Sequence, residues 1–183
     1  MFTTKESLYI NVIKYDSQLR LDYKKITNEI IIDNTNAIYL VDDDILSSEI
    51  SEKLNHAQEE NDFTYISTLL ISDTTKLVPT ALSSKLKDCE IAKFNNEFDI
   101  AVLKTTLFET KNYFIKTGID YIYSAFHIMN LHLEKKICKN ELLVFLFNNK
   151  AFTLIVNQKG LIALHQTFDL PTFEKDKKTH FYE

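Results

Sequence analysis

The stretch that most limits what this chain can fold into is Glu141–Leu170, ELLVFLFNNKAFTLIVNQKGLIALHQTFDL. Leu142–Phe147 and Ala151–Val156 are apolar, β-branched or aromatic runs parted by Asn148-Asn149-Lys150. Leu161–Phe168 follows after Asn157-Gln158-Lys159-Gly160. Asn tolerates a left-handed backbone and Gly adopts one freely, so both breaks are expected hairpin turns. Three strands this apolar need cover on at least one face. Helical patterns suited to that cover lie immediately upstream.

Earlier in the chain, Leu8–Ile13 and Leu19–Tyr23 alternate apolar and polar residues around Tyr15-Asp16-Ser17-Gln18, which predicts an opening hairpin. Glu29–Asp33 and Ala37–Val41 continue as strands, with Asn34-Thr35-Asn36 as a turn or bulge between them. In Ile45–Glu60, Leu46, Ile50, Leu54 and Ala57 recur at helical spacing, and Asn61-Asp62 closes that helix. Thr64–Ile71 reads as a buried strand, and Pro79 falls in the following loop. The pattern is weakest over 72–98, where Ala81–Lys87 suggests a short helix and Cys89–Phe94 a short strand.

Asp99–Leu103 is then a strand and Thr105–Thr117 a helix with Leu107, Phe108, Phe114 and Ile115 as its apolar side. Gly118 stands where a helix C-terminus favours a left-handed residue. Asp120 is placed to cap a second helix carrying Ile122, Phe126, Met129 and Leu133 at i, i+4, i+7 and i+11. After Pro171 the charged run TFEKDKKTHFYE reads as a linker or truncation point.

Composition excludes several function classes. The chain has 183 residues, enough for one large domain or two small ones, and only 2 Gly. Average usage gives roughly a dozen, and two isolated glycines cannot build a P-loop or a dinucleotide fingerprint. Net charge is −5 and Arg20 is the sole arginine, which opposes nucleic acid as a partner. MFTTKES is too polar for a signal peptide, and no run reaches the roughly 18 apolar residues that span a bilayer. A soluble chain is expected.

Isolated chemical candidates each have a plainer reading. Asp42-Asp43-Asp44 could hold Mg²⁺, but acidic residues before a helix more often cap its free N–H groups. Asp16, Asp33, Asp42 and Asp99 lie near strand ends, as a two-metal nuclease would need; the acidic composition and lone Arg argue against one. His127 and His132 sit five apart on a predicted helix, about 140° around it, which suits no metal pair. Ser67 and Ser124 lack the context of a nucleophile elbow. Cys89 and Cys138 have no companion ligand at metal spacing and read as reduced structural thiols, although Lys136 and Lys139 flank Cys138. No catalytic, cofactor or metal residue is assigned, and no cofactor is expected.

Hairpin strands feeding helix-covered strands point to an α/β fold of the ribonuclease H-like type. The run FDIAVLKTTLFETKNYFIKTGIDYIYSAFHIMNL, followed by ELLVFLFNNKAFTLIVNQKGLIALHQTF, resembles the actin-like cytoplasmic assembly proteins of type IV pilus and type II secretion machines (PilM and GspL type). Gly118-Ile119-Asp120 and the meander match that family's strand–helix, Gly-hydrophobic step and three-strand layout. The resemblance implies two related β-meander-plus-helix halves, 1–96 and 97–171, with 172–183 as a charged tail. Leu8–Tyr23 would be the first half's equivalent of the meander.

The same resemblance implies where chemistry is missing. Actin-like ATPases cradle phosphates in two glycine-bearing hairpin turns, because backbone N–H groups must approach the phosphate closely. The corresponding turns here, Tyr15-Asp16-Ser17-Gln18 and Phe147-Asn148-Asn149-Lys150, contain no Gly. A non-catalytic scaffold is therefore expected, cytoplasmic and peripheral to an inner membrane. Its implied partners are proteins of a secretion, pilus or DNA-uptake apparatus, such as an assembly ATPase or platform protein, or a second copy in a homodimer. The Thr105–Thr117 helix and the Ala37–Val41 strand are its expected contact surfaces. The alternative is a nucleotide-binding ATPase or switch with Asp16, Ser17, Asn148 and Asn149 around one cleft.

Overall fold

The computed structural model describes residues 6–41, 44–135 and 139–171. The elements run β1 (Glu6–Tyr15), β2 (Gln18–Thr27), β3 (Ile30–Leu40), α1 (Ser48–Glu60) and β4 (Thr64–Leu70). Next come β5 (Thr75–Pro79), α2 (Thr80–Ser83), β6 (Cys89–Lys93), β7 (Phe98–Leu103) and α3 (Lys104–Tyr113). The chain continues through β8 (Tyr121–Ser124), α4 (Ala125–Lys135), β9 (Glu141–Phe147), β10 (Lys150–Val156) and β11 (Ile162–Asp169). Two compact units result, Met1–Leu70 with Lys104–Tyr123 and Ile71–Leu103 with Ser124–Glu183. The chain passes between them after Leu70, Leu103 and Tyr123, whereas the sequence placed one boundary after residue 96.

The first unit is a five-stranded sheet of order β3-β2-β1-β4-β8. Alternation in β1 and β2 sends Ile10, Val12, Leu19 and Leu21 to one face, where each is fully buried. They pack with Leu46, Ile50 and Leu54 from α1 and its lead-in, and with Ile66, Tyr113 and Phe114. Burying one such aliphatic side chain stabilises by about 1.5–3 kcal/mol, so this cluster is the unit's main source of stability. β1 pairs antiparallel with β2 and parallel with β4, the return path being carried by α1.

Several sequence expectations need correction here. Asn34-Thr35-Asn36 makes no turn; it pairs with Lys24, Tyr23 and Asp22 inside one continuous β3. The irregularity lies one step earlier, where Lys25 opposes Asp33 and Ile26 opposes Ile31, leaving Ile32 as a bulge. α1 is capped by Ser47, whose Oγ accepts from the Ile50 N–H at 3.4 Å, and not by Asp44, the described residue of the acidic run. Asp44 precedes that cap by a turn's length of chain, while Asp42 and Asp43 lie outside the described residues.

α3 stops at Tyr113, and its apolar side is not the expected one. Phe114 is buried, but Phe108 and Ile115 are 71% and 69% exposed. Tyr113 takes the inward position instead, edge-on to Phe114 at 5.3 Å. Gly118 does close the segment as expected, with φ of 74° and its N–H donating to the Phe114 carbonyl at 2.8 Å. Asp120 caps no helix, because Tyr121–Ser124 is the edge strand β8 and α4 starts at Ala125. Two aromatic residues and a β-branched one make YIYS a better strand than helix start.

The second unit holds two three-stranded antiparallel sheets, β5-β7-β6 and β11-β10-β9. The meander forms as the sequence predicts, with Asn148 (φ 50°) and Gly160 (φ 78°) in its two turns. Phe152, Leu154 and Val156 of the central strand are buried on one face. Phe126 of α4 covers them, its ring edge-on to Phe152 at 5.8 Å. Pro79 lies not in a loop but at the end of β5, an edge strand, where its missing N–H breaks no interior ladder.

Candidate functional site

The two hairpin turns singled out by sequence are built alike. Asp16-Ser17 joins β1 to β2, with Asp16 at φ 49°, and the Ser17 carbonyl accepts a 2.8 Å bond from the Val41 N–H. Asn148-Asn149 joins β9 to β10, with Asn148 at φ 50°, and the Asn149 carbonyl accepts a 2.6 Å bond from the Leu170 N–H. Val41 and Leu170 each immediately follow the third strand of their meander. Each turn is thus tied at its second residue to the strand after next.

Neither turn contains glycine. Asp16 places a carboxylate in the first turn, and Asn148 and Asn149 form the second. Beside the second turn, the Lys150 ammonium lies 2.9 Å from Asp73 Oδ1 and 2.5 Å from Asp169 Oδ1. Lys150 is only 16% exposed, and its pKa is raised, chiefly by the hydrogen bond to Asp169 and further by Asp73. One ammonium facing two carboxylates leaves no positive charge to attract an anion. Sequence could not show this pairing, since Asp73 is 77 positions from Lys150.

Among the described residues, no group of three or more His, Cys, Asp or Glu side chains could hold a metal ion. Asp33 sits on β3 opposite Lys25, and Asp99 on β7 opposite Val78 and Lys93. Arg20 is engaged by Asp22 at 2.8 Å. Cys89 lies on β6 as a free thiol; Cys138 and Lys136 are outside the described residues.

Ser124 and His127 do come together, which sequence missed. His127 Nδ1 is 2.8 Å from Ser124 Oγ and accepts from the Ser124 N–H at 3.1 Å. A hydroxyl on an imidazole is the beginning of a nucleophile–base pair. Here, however, Ser124 is fully buried and sits at the start of α4, with His127 three residues on. The Ser124 N–H bond is one half of a capping box, with imidazole in the usual Glu position. Burial lowers the His127 pKa, and the neutral ring is the form that can accept both bonds. The spacing Ser-x-x-His was the available signal.

A groove of about 540 Å³ in the first unit runs between Leu8, Tyr23 and Thr35, with Lys25, Asp33 and Glu60 contributing mixed charge. Burial raises the Tyr23 pKa, with Tyr39 adding to it, so its phenol stays neutral. On the opposite face of the same sheet Tyr9 stacks on Tyr65 at 5.2 Å, and Tyr121 on Tyr123 at 5.9 Å. No helix among the described residues is long and apolar enough to cross a membrane.

Comparison with known proteins matches the fold and leaves chemistry open. Residues 5–130 match a family model described as a domain of unknown function, DUF8569. A Bacteroides thetaiotaomicron protein with actin-like ATPase fold and unknown function superposes with a TM-score of 0.51 at 11% identity, over 96% of this chain and 75% of that one. An exopolyphosphatase from Cytophaga hutchinsonii gives 0.40 at 10% identity, covering 96% and 59%. An Aquifex aeolicus member of the Ppx/GppA family gives 0.44 at 9% identity, covering 98% and 60%. This chain spans about three fifths of the length of those last two. Among curated proteins, none matches the sequence. The fold is α/β, of the kind seen in the actin-like ATPase-fold protein.

Proposed function

The chain belongs to the DUF8569 family, and for it we propose a non-catalytic scaffold that works through protein–protein contacts. The observation that carries this reading is the pair of hairpin turns. Each is glycine-free, and the cation beside the second is held by Asp73 and Asp169. On an actin-like fold those turns are where nucleotide phosphates are gripped, so losing their glycines removes the usual chemistry while keeping the frame. The matching ties Val41 to Ser17 and Leu170 to Asn149 support two related halves of ribonuclease H-like type. We place the module, as its sequence resemblance suggests, in the cytoplasm beside a membrane-associated secretion, pilus or DNA-uptake apparatus. Phe108 and Ile115 on and after α3, and the edge strand β3, give it exposed apolar surface for such partners.

Titration with a fluorescent ATP analogue, with and without Mg²⁺, tests the reading. No saturable binding is expected up to about millimolar nucleotide. Saturable micromolar binding that Asp16→Ala abolishes would replace the scaffold with a nucleotide switch. Purification from the native host in mild detergent tests the setting: co-purification of a secretion-type ATPase or inner-membrane platform supports it, and recovery of soluble metabolic proteins alone counts against it.

A further inference from the structure

β3 ends the five-stranded sheet and, among the described residues, pairs on one side only, with β2. Its sequence, IIIDNTNAIYL, holds a single charge, Asp33, and no Lys or Pro. Edge strands are ordinarily blunted by such residues or by cover, because a bare row of N–H and C=O groups templates further pairing. This strand is eleven residues long, and Ile32, Ile38 and Leu40 are 55%, 58% and 82% exposed. A long edge with apolar ends and a single charge is the profile of an edge that is used.

We propose that two copies of this chain pair antiparallel through β3, centred on Thr35, to make one continuous sheet. A strand meeting its own copy places each residue opposite its mirror position, and this strand is self-complementary about Thr35 alone. In that register Asn34 faces the partner's Asn36, and the apolar Ile30–Ile32 segment, bulged at Ile32, lies against the partner's Ile38 and the partner's Leu40. Asp33 falls opposite Ala37. The two Asp33 carboxylates then lie four residues apart along the strand, roughly 14 Å, beyond the Debye length of about 8 Å at physiological salt. Centring on Asp33 would set the two carboxylates face to face. Centring on Ala37 would put Leu40 against Asn34 and leave Ile30–Ile32 uncovered. An unrelated partner would have to reproduce the order apolar, polar, apolar; a second copy already carries it.

Strand pairing alone buries less than the roughly 800 Å² per partner of a standard interface, so a micromolar dissociation constant is expected. The pairing does not depend on the scaffold reading, since a nucleotide-binding protein could dimerise in the same way. Sedimentation equilibrium of the full chain at about 1–100 µM should show a monomer–dimer equilibrium that Ile38→Lys shifts at least tenfold toward monomer. In a background of Cys89→Ser and Cys138→Ser, Thr35→Cys should form a disulfide dimer on mild oxidation. Asn34→Cys alone should not, but a mixture of Asn34→Cys and Asn36→Cys should give the mixed dimer. A monomer throughout that range overturns the proposal. So does a dimer that Ile38→Lys leaves intact and Thr35→Cys fails to cross-link. Because Ile38 and Thr35 are surface positions of β3, unchanged circular dichroism of each variant confirms that folding is not what the assay reads.

Discussion

The Asp120 carboxylate accepts a 2.7 Å hydrogen bond from the backbone N–H of Ile66, 54 positions earlier, while the Asp120 N–H donates to the Ile66 carbonyl at 2.9 Å. One residue thereby satisfies both backbone groups of a buried strand position at the entry to β8. Asp120→Ala is expected to strand the Ile66 N–H and destabilise the protein by about 1–3 kcal/mol. Asp120→Asn keeps an acceptor and should lose roughly half as much. Urea unfolding of the two variants distinguishes this bracing role from a helix cap, which Asn would replace at no loss.

His127 should make stability depend on pH. Its folded pKa lies below the ordinary value of 6.5 because burial disfavours the imidazolium. The unfolded chain therefore binds the proton first as pH falls. The stability from the Ser124–His127 contacts is full above about pH 6.5 and is lost progressively as pH drops through the folded pKa. His165 is lowered by burial too and acts with the same sign, so the comparison must isolate one residue. His127→Gln, which retains an acceptor for the Ser124 N–H, should flatten part of the acid limb of a stability–pH curve while costing under about 1 kcal/mol at neutral pH.

Gly118 is in the left-handed region at φ 74°, and a Cβ added there would meet nothing within 4 Å. The cost of Gly118→Ala is thus conformational only, about 1 kcal/mol. Gly118→Asn should cost less than Ala, since Asn enters that region more readily. Equal losses for the two variants in thermal unfolding would show that an unseen packing clash dominates.

Lys150 is held by Asp73 and Asp169, whose side chains are both largely exposed. Removing the ammonium with Lys150→Met leaves two carboxylates facing one another. The expected loss is about 1 kcal/mol at low ionic strength and less at about 0.5 M salt. Adding Asp73→Asn to Lys150→Met should recover part of it. If salt leaves the loss unchanged, the residue's apolar stem matters more than its charge.

The elements that sequence placed well are those where local chemistry and tertiary structure agree. Asn148 and Gly160 bracket the meander because the backbone needs left-handed residues there. Ile50 and Leu54 recur at helical spacing because α1 lies on the sheet. Errors arose where a local pattern had two readings. Asn34-Thr35-Asn36 looks like a turn, yet an exposed edge strand requires no apolar alternation, so polar residues run through it freely. Ile122 fits the α4 periodicity by spacing alone and belongs to β8. Long-range pairings such as Lys150 with Asp73 leave no trace in local sequence. The candidate turns were legible as turns and as glycine-free; the charge neutralisation beside the second was not.

The interleaving of the two units has a consequence for biosynthesis. Tyr113 and Phe114 belong to the core built on β1, β2 and α1, and β8 completes the same sheet. A chain emerging from the ribosome must therefore hold residues 71–103 in waiting until about residue 123 is free, before its first core can close. A fragment ending at residue 96 is expected to expose Ile10, Leu21 and Leu54 and to aggregate, although it contains four of that sheet's five strands.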